Sequence, residues 1–156
     1  MNKNSPKVSI GLPVFNGEKY LADALDSLFA QSFSDFELII CDNASSDATA
    51  GICEKYAGMD SRIRYFRNKK NIGAAPNFNR TFHVAVGEYF KWAAHDDLCA
   101  PEFLARCSET LDADPSAVLA YPRAFIIDDL GQKIEPYNLK LPTDSESAAV
   151  RFNALL

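Results

Sequence analysis

A chain of 156 residues fits a single domain, and 47% apolar residues supply one sizeable core. A net charge of −5 argues against a broad nucleic-acid surface, so no nucleic-acid partner is expected. No run approaches the ~20 apolar residues of a membrane span, and the polar stretch Met1 to Lys7 leads into no secretory apolar segment.

Val8 to Leu12 reads as a short buried strand, ended by Pro13, which has no N–H to offer a neighbour. Val14-Phe15-Asn16-Gly17 is a loop with Asn and Gly as its turn residues. From Glu18 to Gln31 the period becomes helical, with Leu21, Ala24, Leu25 and Leu28 on one stripe. Glu37 to Cys41 is a second strand without alternation, as expected where both faces are covered, and it runs into Asp42-Asn43. Ser45 or Ser46 is placed to cap the next helix, which extends to about Ala57. Ile63 to Phe66 is a third strand and Asn68 to Gly73 a polar loop. A third helix spans about Pro76 to Val86, with Phe78, Phe82 and Ala85 on its apolar face and His83 on its surface. Gly87 stops it.

Glu88 to Asp97 reads as a strand that enters the core and delivers Asp96 and Asp97 at its end. Adjacent carboxylates there are costly unless a positive group separates them from a ligand. A divalent cation on a diphosphate meets that need; a polar loop with an Asp helix cap is the plainer alternative. Trp92 and the aromatics near it are assigned to the core, with a sugar platform as the alternative. Pro101 opens a helix to about Leu111, and Ala117 to Tyr121 is a fifth strand. Ala124 to Ile127 and Gln132 to Ile134 flank a hairpin turn at Asp128 to Gly131. Pro136 and Pro142 punctuate a loop, and Ser147 to Leu156 has the pattern of a helix start.

Arg62, Arg64, Arg67, Lys69 and Lys70 form a basic cluster, read as a solvated strand edge and loop. Cys41, Cys53, Cys99 and Cys107 show no zinc-ligand spacing and are expected to be free thiols in a reducing compartment. The expected location is therefore cytoplasmic, compatible with work at a membrane surface.

Strands alternating with helices imply an α/β fold with a mostly parallel sheet. In such folds ligands bind beyond the carboxyl ends of the strands. Pro13 to Glu18, Asp42-Asn43, Asn71 to Gly73 and Asp96-Asp97 each follow a strand, so four segments converge on one edge. No GxGxxG or Walker A pattern is present, which weakens the standard dinucleotide and P-loop readings.

The residues that converge also carry a resemblance. Val8 to Glu18 (VSIGLPVFNGE), Leu25 to Phe33, Phe36 to Asp47 (FELIICDNASSD), Asn71-Ile72-Gly73, and Gly87-Glu88-Tyr89 leading to His95-Asp96-Asp97 resemble the N-terminal half of a family 2 glycosyltransferase with the GT-A fold. The match covers roughly residues 7 to 125. It implies a Rossmann-like, mostly parallel sheet flanked by helices, truncated on its C-terminal side. It also implies inverting transfer of a sugar from a nucleotide-diphospho-sugar, most readily a UDP-sugar, to a sugar or lipid-linked acceptor in cell-surface polysaccharide or glycolipid assembly. By the resemblance, Pro13, Val14 and Phe15 form the floor of the nucleotide pocket with Glu18 beside it. Asp42 accepts a hydrogen bond from the base. Asn71 and Gly73 lie against the nucleotide, Gly73 allowing close backbone approach. Asp96 faces the ribose or the metal, and Asp97 coordinates Mg2+ or Mn2+.

Two departures qualify the resemblance. The Asp-any-Asp metal motif has His95 at its first position; it is read as a packing residue, with metal or phosphate binding the alternative. The family's general base lies in the C-terminal half, and nothing after Asp129 matches it. Residues 1–135 are thus expected to form the nucleotide-sugar-binding domain. Residues 136–156 would be a loop and helix start leading to an acceptor-binding portion absent from this sequence, and apolar surface left by that absence could drive homodimerisation. The competing readings are a nucleoside-diphosphate-binding module without transfer, and a Mg2+-dependent phosphate-handling domain acting through Asp42 or Asp96.

Overall fold

The computed structural model describes residues 5–137. Contacts divide the chain into two compact units, Met1–Ala120 and Tyr121–Leu156. The expected helix start at Ser147 and the loop around Pro142 lie outside the described residues.

The first unit is a parallel sheet of strand order β3-β2-β1-β4, built from β1 (Val8–Val14), β2 (Phe36–Asp42), β3 (Ile63–Arg67) and β4 (Tyr89–Trp92). Each strand is followed by a helix: α1 (Leu21–Phe29), α2 (Thr49–Met59), α3 (Ala74–His83) and α4 (Phe103–Ala113). Every residue of β1 and β2 is buried, which explains their lack of alternation. On one face Ile10, Leu12, Leu38 and Ile40 form a single core with Leu21, Leu25 and Leu28 of α1 and Cys53 and Tyr56 of α2. Each of these buried leucines contributes ~1.5–3 kcal/mol by leaving water. No helix among the described residues is long and apolar enough to cross a membrane.

The other face mixes polar and apolar groups, with Ser9 and Glu37 beside Ile39 and Cys41, and α3 meets it differently from expectation. The third helix buries Asn77 and Thr81, while Phe78 and Phe82 are exposed. Gly11 contributes to this: a Cβ there would sit 2.4 Å from Thr81 Oγ1 and 2.8 Å from Phe90 Cζ, so the close packing of Thr81 and the Phe90 ring on β1 needs a glycine. Asn77 Nδ2 donates to the Cys41 carbonyl at 2.8 Å, and Ser9 and Glu37 hydrogen-bond each other at 2.6 Å on the same face. The helix ends at His83, before Gly87. Gly87 instead lets the chain pass over β1, because a Cβ on it would lie 2.6 Å from the Ser9 backbone nitrogen.

Other expectations are corrected. Pro13 does not end β1; it pairs with Cys41 and the strand continues to Val14. Gly11 O accepts from Ala93 N, so odd-numbered residues of β1 point toward β4, whose ladder stops at Gly11–Trp92. The missing Pro13 N–H therefore falls past the ladder's end and costs no bond. The fourth strand is shorter than Glu88 to Asp97 and only partly buried, and among the described residues it lies at the edge of the sheet. Trp92 is not core: it is 48% exposed and stacks edge-on against Phe90, with its Nε1 donating to Thr81 Oγ1 at 3.2 Å. Ala117 to Tyr121 forms no strand, and Val118 is 96% exposed.

In the second unit, β5 (Ala124–Ile127) and β6 (Lys133–Tyr137) form the expected hairpin. Asp128 Oδ1 accepts from Leu130 N and Gln132 N, and Gly131 supplies a φ of 74°. Pro136 lies within β6 opposite Phe125 rather than in a loop, tolerated on an edge strand.

Candidate functional site

The polar segments that follow β1, β2, β3 and β4 do gather at one edge of the sheet; hydrogen bonds join the first three, and His95 packs the fourth against Gly17. The β1 and β2 loops are stitched side by side. Asn16 N donates to Ser45 Oγ (3.0 Å), Gly17 N to Thr49 Oγ1 (2.8 Å) and Ser46 N to Asn16 Oδ1 (2.9 Å). Glu18 N donates to Asp47 Oδ2 (3.1 Å), and Glu18 Oε2 accepts from Ala48 N (2.8 Å). Ser45 and Ser46 therefore do not cap α2. That task falls to Glu18 and to Asp47, whose Oδ1 accepts from Thr49 N at 3.0 Å. Bridging in this way fixes Glu18 at the rim between the two loops.

Asp42 ends β2 with no exposed surface. Its Oδ1 accepts from Ser45 N at 2.8 Å; its Oδ2 accepts from Tyr65 OH at 3.0 Å and faces Arg67 Nε at 3.2 Å. Ala44 makes the first of these bonds by adopting φ 62°, a left-handed conformation costly for a residue with a Cβ. Burial and the bond to Asp42 push the Tyr65 phenol far up, so Tyr65 stays a neutral donor. Arg67, read above as part of a solvated cluster, also donates to Ser45 O at 2.7 Å.

Asn43 joins this strand end to the Asn71–Gly73 loop. Its Nδ2 donates to Asn71 Oδ1 (2.9 Å) and Gly73 O (3.2 Å), and its Oδ1 accepts from Ile72 N (2.9 Å) and Asn68 Nδ2 (2.9 Å). Asn68 is held in turn by Asn77 Oδ1 at 2.9 Å and by Arg80. Gly73 has φ 89°, which needs a glycine, and it begins α3.

Asp96 and Asp97 lie in an exposed turn after β4. The turn is tied to the rest at two points. His95 packs on Gly17, where a Cβ would stand 2.6 Å from His95 Cδ2, so its position is a packing one. On the far side Gln31 Nε2 donates to Ala100 O (2.8 Å), Leu104 N donates to Gln31 Oε1 (3.0 Å), and Ser32 N donates to Pro101 O (2.9 Å). Apart from the 3.9 Å approach of His95 Nδ1 to Asp96, neither carboxylate has a partner among the described residues. No group of three or more His, Cys, Asp or Glu among those residues could enclose a metal. Two unengaged carboxylates at an open turn fit a hard cation that takes its remaining oxygens from a ligand's phosphates.

Pro13 and Val14 are buried, and Phe15 is 45% exposed, so its ring is the surface that the first loop offers. Asn43, Asn68, Tyr65, Arg67, Asp47 and Thr49 were not singled out as site residues from the sequence. Asn43 was legible only as part of the Asp42-Asn43 segment and Arg67 only as part of the basic cluster, while Tyr65, inside β3, carries no signal in the sequence. A separate cleft of about 440 Å3, lined by Pro6, Asp35, Glu37, Arg62 and Arg64, opens at the other end of the strands.

Polar loops gathered beyond the carboxyl ends of a parallel sheet define an α/β ligand-binding domain. The description "Glycosyl transferase family 2" matches residues 9–154, and the chain belongs to that family. EpsE of Bacillus subtilis (strain 168) is 38% identical over 104 residues, which are 66% of this chain and 37% of EpsE. An uncharacterized glycosyltransferase of Rickettsia typhi is 40% identical over 100 residues, 64% of this chain and 30% of that protein. The crystal structure of S. aureus TarS in complex with UDP superposes with a TM-score of 0.65 at 30% identity, covering 69% of this chain and 32% of that one. A TarS complex with UDP-GlcNAc gives the same score. The mannosyltransferase PcManGT of Pyrobaculum calidifontis, in complex with GDP-Man and Mn2+, shares the fold at 24% identity and a TM-score of 0.65, covering 73% of this chain and 34% of that one. The chain thus spans about a third of the length of these relatives. The fold is the α/β, GT-A arrangement that the sequence implies.

Proposed function

We propose that this chain forms the donor-binding portion of an inverting glycosyltransferase that uses a nucleotide-diphospho-sugar, with a UDP-sugar as the first candidate. One observation carries the reading: four strand-end segments meet at one edge, with Asp42 fixed on one side and unengaged Asp96 and Asp97 on the other. The TarS complexes with UDP and UDP-GlcNAc support the choice of base.

In this reading Phe15, on the floor made by Pro13 and Val14, packs against the nucleoside, and Glu18 holds that rim in place. An incoming base N–H replaces Arg67 Nε at Asp42 Oδ2, while Arg67, 48% exposed, keeps its bond to Ser45 O. The Asn71–Gly73 loop lies along the ribose, with Gly73 admitting the ligand close to the backbone. Asp97, aided by Asp96, would hold Mg2+ or Mn2+, which would supply Lewis-acid neutralisation of the charge on the leaving nucleoside diphosphate. The proton of the acceptor hydroxyl needs a general base, for which none of these residues is placed. The acceptor is a sugar or lipid-linked sugar of cell-surface polysaccharide or glycolipid assembly, met on the cytoplasmic side.

Calorimetric titration with UDP, GDP, TDP and ADP, each with and without Mn2+, tests the reading. Metal-dependent binding of one nucleotide is the expected result. Equal, metal-independent binding of all four, or of none by a folded sample, would remove its basis.

A further inference from the structure

We infer that Asn43 is the positioning residue of the nucleotide site: it sets where the Asn71–Gly73 loop stands relative to Asp42. The inference rests on the donor-binding reading above and extends it to a residue that does not itself touch the ligand.

The geometry is specific. Asn43 is 3% exposed and follows Asp42 directly in the chain. A side-chain amide offers two N–H donors and a carbonyl oxygen with two lone pairs. All four are used, three of them on the Asn71–Gly73 loop: Asn71 Oδ1, Ile72 N and Gly73 O, with Asn68 Nδ2 as the fourth. Ile72 and Asn71 are themselves exposed, and the loop is otherwise held by the Asn71 Oδ1 bond to Gly73 N at 2.8 Å, internal to it, and by Gly73 O accepting from Asn77 N at 3.4 Å in the first turn of α3. The link from the loop to β2 therefore runs through one buried amide. Asn68, anchored by Asn77 and Arg80, fixes the amide's rotation from below. A side chain without this donor–acceptor pattern would leave the loop attached at its ends alone, and the buried groups would lose their partners.

Asn43→Ala removes all four bonds, and Asn43→Asp keeps the two accepted ones while losing the two donated to Asn71 and Gly73. Each variant is titrated with uridine, UMP and UDP, the last with and without Mn2+, well below its melting transition. Amide hydrogen exchange is followed in parallel. Asn43→Ala is expected to weaken UDP binding about ten- to hundredfold, with Asn43→Asp in between. The factor gained on adding the β-phosphate and Mn2+ is expected to stay as in the parent chain, because Asp96 and Asp97 are untouched. The Ile72 amide is expected to exchange fast while β1 and β2 amides stay protected. A purely structural role would lower the melting temperature and leave affinity unchanged; that outcome overturns the inference and leaves the donor-binding reading standing. Loss of the Mn2+ increment instead of the nucleoside affinity overturns it as well. Failure of the parent chain to bind any of these ligands overturns both.

Discussion

Asp42, the last residue of β2, and Asp97, in the turn that follows β4, lie at the same edge of the sheet, yet in opposite states. Asp42 has no exposed surface and three partners, Ser45 N, Tyr65 OH and Arg67. Asp97 is exposed and has no partner among the described residues. A carboxylate with every contact made is a structural element before any ligand arrives. One with none is held only by its backbone, and its charge is available. The difference arises from the strands: β2 is central and wholly buried, whereas β4 is a short, partly exposed edge. The same chemistry placed by a central strand becomes part of the fold, and placed by an edge strand it stays open to a partner.

The largest expected effect tests the closed end. Asp42→Ala leaves the buried Ser45 N and Tyr65 OH without acceptors and Arg67 without its counter-charge. Unfolding free energy should fall by about 2–4 kcal/mol, read from urea midpoints. A loss below ~1 kcal/mol would mean that the network adds nothing to the fold. Next comes Gly11→Ala, which drives a Cβ to within 2.4 Å of Thr81 Oγ1 and 2.8 Å of Phe90 Cζ. Overpacking of that kind costs ~1–3 kcal/mol. It should also perturb β4, which pairs with β1 at this position, while leaving β2 amides protected in hydrogen exchange.

Alkaline pH gives a further test of the buried side. Burial pushes the Cys41 thiol from 9.0 to about 11 and the Cys53 thiol from 9.0 to about 12. Both folded values lie above the unfolded one, so the folded chain holds these protons more tightly. The associated stability is complete below about pH 9 and is lost as pH rises toward 11 and 12. Urea midpoints that stay level across that window would contradict the burial of both thiols. A smaller effect of opposite sign is expected from Ala44→Gly. It relieves a φ of 62° and should gain about 0.5–1 kcal/mol, since the left-handed strain removed slightly exceeds the entropy that glycine adds.

How far the sequence was legible follows the same division. The α1 stripe of Leu21, Ala24, Leu25 and Leu28 was readable because one apolar core covers that face, and period alone identifies it. The periodicity of α3 points to Phe78 and Phe82 as its buried face, but Phe78 packs against Trp92 and Phe82 against Phe90 of β4 and both stay partly exposed, while Asn77 and Thr81 are the buried residues. The space over Gly11 is already taken by Thr81 and the Phe90 ring, and Asn77 is what the Cys41 carbonyl admits. Ala117 to Tyr121 has a strand's composition, but a strand needs a neighbour to pair with, and among the described residues it has none. In the site, the positions of Asp42, Asn71 and Asp97 were legible from strand order. That Asp42 would be enclosed by Tyr65 and Arg67 was not, because those contacts join residues more than twenty positions apart through the β2–β3 register.

The open end gives the smallest change in stability and the sharpest functional one. Asp97→Asn removes a charge from an exposed turn with no ion-pair partner among the described residues, so unfolding free energy should move by no more than ~0.5 kcal/mol. Asparagine keeps the size and one acceptor oxygen, and therefore the turn. What it loses is the anionic oxygen that a hard divalent ion needs. In the titrations above, the Mn2+-dependent part of nucleotide affinity should disappear while the metal-free part is unchanged. Asp42→Asn should do the reverse, lowering the metal-free part and the stability together. If Asp97→Asn instead destabilises the fold by more than ~1 kcal/mol, the turn is structural and the contrast between the two strand ends fails. If it leaves the metal dependence intact, the ion sits elsewhere, and Asp96 becomes the group to vary next.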